Sequence, residues 1–304
     1  MSNDEIKNLA ASVHQKLLNK AHETNRPFNE LLQYYAIERF LYRLSRSPFV
    51  KKFVLKGALL LNVWGISGYR PTRDIDFLGN TPDSLEKIVS IFQQICAIDV
   101  GLDGMKFDVE SIQGEHINED ADYEGVRVTF SGSLGKARVP MQIEIGFADI
   151  VTPGPVSMDY PVLLDFPAPN LNCYPHETLI AEKLQAMVSL GEINSRMKDF
   201  YDICILALQL DFDGEVLQRA IEKTFEQRGT SLPEEIPVAL TDDFARQKTS
   251  TWDAFIKRTG LQQPDRDFLQ VVRLLQKFLM PLLHASVTRQ NFRVVWKKGK
   301  WVDQ

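Results

Sequence analysis

The stretch from Lys56 to Gly79, KGALLLNVWGISGYRPTRDIDFLG, limits what this chain can fold into more than any other. The apolar run Phe53-Val54-Leu55 leads to Lys56-Gly57 and reads as a short buried strand. Ala58 to Trp64 is mostly apolar and suits a short buried helix, which Gly65, Gly68 and Pro71 break. Arg73 then opens the alternating run Asp74-Ile75-Asp76-Phe77-Leu78. Strand side chains alternate between faces, so Asp74 and Asp76 project to one side and Ile75 and Phe77 to the other. Two carboxylates side by side repel each other, and nothing in folding rewards that placement. A hard divalent cation such as magnesium does, because it takes oxygen ligands. An Asp-x-Asp alone more often marks a solvated strand edge, so both readings stand at this point.

A second strand carries the same signal. In Met141-Gln142-Ile143-Glu144-Ile145-Gly146-Phe147, Gln142 and Glu144 share one face while Ile143 and Ile145 share the other. A carboxylate inside a core strand is costly unless it is paired or bound to metal. Glu144 is therefore the natural third metal ligand beside Asp74 and Asp76, against the bland reading of an exposed residue on a half-solvated strand. Strand-like runs also cover Phe107 to Ile112, Val126 to Phe130 and Val139 to Phe147. The acidic segment Glu115 to Glu124 reads as a solvated loop. Pro82 to Ile98 reads as a helix.

Upstream, Ile6 to about Ser47 has apolar residues at helical spacing, interrupted at Thr24-Asn25-Arg26-Pro27, and forms a helical arm. Its aromatic group Tyr34, Tyr35, Phe40 and Tyr42 suits packing better than stacking on a ligand. Downstream of a proline-rich connection (Pro153, Pro155, Pro161, Pro167, Pro169) the pattern is helical nearly to the end. Lys183 falls within the apolar stripe of Ile180, Leu184 and Met187. Asp199 lies on the line of Ile203, Leu206 and Leu210. Spacing favours a structural ion pair between them; a shared role at a cleft is the alternative. The tail from Arg289 carries Arg293, Lys297, Lys298 and Lys300 around Trp296 and Trp301, which suits either a nucleic-acid contact or an amphipathic end docked on its domain.

These patterns predict an α+β fold: a mixed sheet with flanking helices, followed by a C-terminal helical domain. The blocks are an arm over residues 1–50, a core over 51–150 and the helical domain over 151–304. With 304 residues, 44% hydrophobic and 25% charged, the chain has the composition of an ordinary soluble domain pair. The net charge of -5 excludes a global basic field, so any nucleic-acid contact must be local. Cys96, Cys173 and Cys204 are scattered and read as unpaired thiols in a reducing compartment. MSNDEIKNLA has no secretory pattern and no apolar run could span a bilayer, so a cytoplasmic location is expected.

Three blocks carry a family resemblance: LKGALLLNVWG with RPTRDIDFLG, then IEIGFAD, then ETLIAEKLQAMVSLGEINSRMKDFYDI. Together they resemble the AbiEii/AbiGii family of nucleotidyltransferase-like toxins, found in bacterial toxin-antitoxin and abortive-infection systems and related to the MenT toxins. The resemblance implies a nucleotidyltransferase core with metal carboxylates at Asp74 and Asp76 and Glu144 as a third. It implies catalytic roles for Asp74, Asp76, Lys183 and Asp199. Nucleotide contacts are expected at Lys56, Gly57, Arg73 and Lys183. Magnesium (or manganese), a nucleoside triphosphate, an RNA acceptor such as a tRNA 3' end and a cognate antitoxin follow from the same resemblance. Ala58 stands where the family pattern has a hydroxyl residue. The rival readings are transfer to a protein or small molecule, and a non-catalytic binding member.

Overall fold

The computed structural model describes residues 3–80, 84–101, 103–119, 123–261 and 266–303. Internal packing divides the chain into two units, interleaved in sequence where the sequence reading has consecutive blocks. One consists of Met1–Val63, Pro71–Ala148 and Val156–Cys173; the other of Trp64–Arg70, Asp149–Pro155 and Tyr174–Gln304. Among the described residues, no helix is long and apolar enough to cross a membrane.

The first unit is α+β. Its helices are α1 (Asn3–Thr24), α2 (Phe28–Ser45), α3 (Leu59–Val63) and α4 (Leu85–Cys96). Its strands are β1 (Phe53–Lys56), β2 (Asp74–Gly79), β3 (Met105–Glu119), β4 (Tyr123–Leu134), β5 (Ala137–Gly146), β6 (Val156–Asp159) and β7 (Asn170–Cys173). They form one mixed sheet in the order β3-β4-β5-β2-β1-β7-β6. β2 runs parallel to β5 and β1 parallel to β7, while the other neighbouring pairs are antiparallel. Ile75, Phe77, Ile143, Ile145, Val128 and Phe130 are buried on one face of the sheet. Phe40 of α2 meets Phe92, Phe107 and Phe130 there, and Phe53 meets Phe77 and Phe92. The opposite face keeps the half-buried polar residues, as alternation dictates.

α2 is buried from Leu31 to Leu41 without a break, so its charged side chains need partners inside the unit. Arg43 makes a bidentate contact to Asp103, at 2.6 and 3.2 Å, and also reaches the Met105 carbonyl. Arg39 donates to the Pro167 carbonyl, and the Glu38 carboxylate accepts from the Leu163 N–H at 2.7 Å. The tyrosines of this helix pack, as expected: Tyr34 and Tyr35 are buried, and Tyr35 donates to the Asp103 carbonyl.

Two sequence expectations are corrected in this unit. The acidic segment expected as a loop is strand on both sides: β3 continues through Glu119 and β4 begins at Tyr123, with Asp120 to Asp122 outside the described residues. Exposed charged residues alternate along an edge hairpin as readily as they fill a loop, and Glu115 is paired across the strands with Arg127 at 3.1 Å. The proline-rich connection holds β6 and β7, whose four residues each are too few to show a period. α4 starts at Leu85, capped by Ser84; the earlier start expected at Pro82 lies outside the described residues.

The second unit is helical: α5 (His176–Leu190), α6 (Met197–Gln209), α7 (Gly214–Gln227), α8 (Asp242–Thr259) and α9 (Phe268–Val287). Thr241 caps the start of α8 and Gly260, with φ +67°, its end. Asp267 and Gln270 form a capping box on α9. A short sheet joins β8 (Phe212–Asp213), β9 (Val294–Lys297) and β10 (Lys300–Asp303). The basic tail thus forms a hairpin. Trp296 donates its indole N–H to the Ala207 carbonyl at 2.6 Å and Trp301 to Phe278 at 3.0 Å. Both rings pack on Phe278. Burial raises the thiols of Cys96, Cys173 and Cys204 to about 12, so none is poised as a nucleophile.

Candidate active site

Strand register alone builds a row of charge across the sheet. Lys56 on β1 is the register partner of Asp76 on β2, and Asp76 is the partner of Glu144 on β5. Glu144 pairs in turn with Arg127 on β4, and Arg127 with Glu115 on β3. Residues in register share a face, so five strands present Glu115, Arg127, Glu144, Asp76 and Lys56 in one line, with the two adjacent acids Glu144 and Asp76 flanked by Arg127 and Lys56. Asp74 and Gln142 sit together in the adjacent row. Lys56 is buried while Asp74, Asp76 and Glu144 are half-buried. Arg73, just before β2, is exposed.

Gly57 follows β1 with φ +77°, a conformation that favours glycine. A Cβ there would lie 1.9 Å from Asp76 Oδ2, so the Asp76 carboxylate occupies the space this glycine leaves. Ala58, next in sequence, is buried. Gly57 is therefore a close-approach position as well as a turn.

Glu144 stands in register beside Asp76, and its side chain is engaged by donors from β4 and from its own strand. Its Oε1 accepts from Arg127 Nε and Nη2, at 3.1 and 2.9 Å, and from Gln142 Nε2 at 3.0 Å. Among the described residues, no three His, Cys, Asp or Glu side chains form a group that could hold a metal ion. Glu144 has a guanidinium as its register partner on β4. All three of these donors converge on one oxygen, which leaves Oε2 without a hydrogen bond from the described residues. Asp74 and Asp76 remain a hard-oxygen pair on one face, and magnesium is commonly held by one or two carboxylates together with substrate phosphates.

Lys183 and Asp199 belong to a charge cluster in the helical unit. Lys183 Nζ lies 2.6 Å from Asp199 Oδ1 and 2.9 Å from Asp202 Oδ2. Asp199 Oδ2 accepts from Arg196 at 2.7 Å, and Asp202 takes a bidentate contact from Arg70 at 2.9 and 3.1 Å. The chain of charge runs Arg196, Asp199, Lys183, Asp202, Arg70. Burial opposes the charge on Lys183, yet the Asp199 and Asp202 carboxylates override it and hold the ammonium above its ordinary range. Burial likewise opposes the charge on Asp199, and Lys183 and Arg196 override it, so its carboxyl titrates below its ordinary range. Both remain ionised at neutral pH. The segment carrying Arg70 is tied down further: Tyr201 donates to the Gly68 carbonyl, and Gln209 bonds both the N–H and the carbonyl of Ser67.

Sequence reasoning gave no role to Arg127 or Arg70, and it held Arg196 and Asp202 only as part of the block ETLIAEKLQAMVSLGEINSRMKDFYDI. Arg127 was within reach, because the alternation V-R-V-T-F puts it on the face opposite Val126 and Val128. Asp202 follows Asp199 by one helical turn and so shares its face. Arg70 carried no such signal, since its partner is far along the chain.

The family model described as the AbiEii nucleotidyl transferase toxin of type IV toxin-antitoxin systems matches residues 39–274. No curated protein matches the chain. The crystal structure of JHP933 from Helicobacter pylori is 16% identical, with 86% of this chain and 94% of that one covered and a TM-score of 0.49. A second H. pylori structure, a "putative nucleotidyltransferase", is 16% identical, with 95% and 98% covered and a TM-score of 0.46. The family match spans β1, the Asp74/Asp76 strand, Glu144 and the Lys183/Asp199 helices, and this chain belongs to the AbiEii nucleotidyltransferase toxin family.

Proposed function

We propose that this enzyme transfers a nucleotide from a nucleoside triphosphate to an RNA acceptor, a tRNA 3' end being the expected target, in a metal-dependent reaction. The observation that carries the reading is the sharing of one strand face by Asp74 and Asp76, with Glu144 in register beside Asp76. These carboxylates would hold magnesium, which when bound offsets the charge of the triphosphate and of the entering and leaving oxygens. Gly57 keeps the Asp76 carboxylate close to the backbone of the turn. Lys56 and Arg73 supply positive charge toward the triphosphate. The acceptor hydroxyl attacks the alpha-phosphorus and releases its proton to solvent as the new P–O bond forms; the bond to the bridging oxygen breaks, and pyrophosphate leaves.

Lys183 and Asp199 complete the proposed catalytic set. Held ionised by its two carboxylates, Lys183 is a fixed cation for the triphosphate, and Asp199 orients it. The family description also implies a cognate antitoxin. Pyrophosphate release measured with each nucleoside triphosphate, with and without total tRNA, tests the reading. RNA-stimulated release with one preferred nucleotide is expected; release stimulated by a protein or small-molecule acceptor and not by RNA would overturn the choice of acceptor.

A further inference from the structure

The C-terminal hairpin makes three choices that folding does not reward. Lys297 and Lys300 are directly opposed across β9 and β10, where like charges destabilise the pairing. Lys298 takes φ +49° beside Gly299 at φ +80°, in a two-residue turn of the kind that favours asparagine or glycine in that position. None of these lysines makes an ion pair among the described residues, and neither does the nearby Arg293. All four are exposed. The same hairpin is firmly anchored: Trp296 is fully buried, and Trp296 and Trp301 both give their indole N–H groups to main-chain carbonyls of the helical unit. An anchored turn carrying unpaired, mutually repelling cations on a chain of net charge -5 is a local anion-binding surface.

We propose that Lys297, Lys298 and Lys300 contact the phosphate backbone of the RNA acceptor. RNA as the partner rests on the acceptor reading above; an acidic protein is the competing occupant. Because both tryptophan rings are committed to packing, the contact is electrostatic and independent of base identity, without stacking.

The test uses the full chain and a labelled single-stranded RNA, with affinity read by fluorescence anisotropy over a series of salt concentrations. The variant is the triple Lys297→Ala, Lys298→Ala, Lys300→Ala. Each lost contact on a single strand should lower the slope of log affinity against log salt by about 0.7, so by about two for the triple variant. At low salt its affinity should fall on the order of tenfold or more, with an unchanged melting temperature, and RNA carrying abasic sites should bind the wild type as well as intact RNA. Equal affinity and slope in wild type and variant would overturn the proposal, as would loss of antitoxin binding with RNA binding unchanged. Wild type that binds no RNA yet releases pyrophosphate with another acceptor would overturn the acceptor reading itself. Wild type that binds and modifies RNA, alongside an indistinguishable triple variant, would remove only the hairpin's role.

Discussion

Asp76 sits where several independent constraints meet: its strand register, its partner Glu144, its partner Lys56 and the missing Cβ of Gly57. Gly57→Ala should therefore act through Asp76. A methyl group there collides with the carboxylate, and the positive φ adds about 1–2 kcal/mol of backbone strain. Lower thermal stability together with loss of nucleotide transfer is expected; a variant of normal activity would show that Asp76 need not hold its place. Arg127 makes the opposite separation. Its side chain is one-third exposed, so its ion pair with Glu144 contributes about 1 kcal/mol or less. Arg127→Ala should melt within a few degrees of the wild type. It should also lose about 10- to 100-fold in transfer, because Glu144 loses two of the three donated hydrogen bonds that orient it and keeps only that of Gln142. Unchanged transfer would return Glu144 to an ordinary solvated strand residue.

At the scale of elements, α5 and α6 are joined by buried charge. Lys183→Ala leaves Asp199 and Asp202, both essentially inaccessible to solvent, without their shared cation, and should cost about 3–5 kcal/mol. If growth inhibition disappears while the melting temperature stays unchanged, Lys183 acts on substrate and not on the fold. The pH dependence has a defined sign. Asp199 titrates below its ordinary value when folded, so its contribution is present above its unfolded value, near 3.8, and is lost as pH falls through the folded one. Lys183 titrates above its ordinary value, so its contribution is present below about 10.5 and is lost as pH rises through the folded value. The cluster is therefore fully stabilising at neutral pH. Glu38 on α2 behaves differently: burial pushes its carboxyl up to about 7, against the opposing pull of Arg39 and the Leu163 N–H. Its contribution is complete below about 4.5 and declines as pH rises to 7. Urea midpoints of Glu38→Gln should accordingly vary less between pH 5 and 8 than those of the wild type, and an equal dependence would contradict the burial of this charge.

At the scale of the molecule, alternation and helical spacing made most of the architecture legible. The Asp74/Asp76 strand, the Glu144 strand and the helical stripes around Lys183 and Asp199 all follow from local periods of two and 3.6. β6 and β7 did not, because four residues among prolines carry no period. The partners of the site charges were hidden for another reason. Arg127 and Glu144 meet only once the register between β4 and β5 is set, and Arg70 meets Asp202 across a long separation in sequence. Periodicity assigns a face; it does not say which charge comes to stand opposite.

The two aspartates of β2 carry the account of this toxin-family enzyme. Transfer of labelled nucleotide to RNA by purified wild type and Asp76→Asn, with melting curves for both, tests it most directly. A folded Asp76→Asn protein with transfer reduced by roughly a hundredfold or more is the predicted result. A folded variant that transfers at the wild-type rate would contradict the assignment.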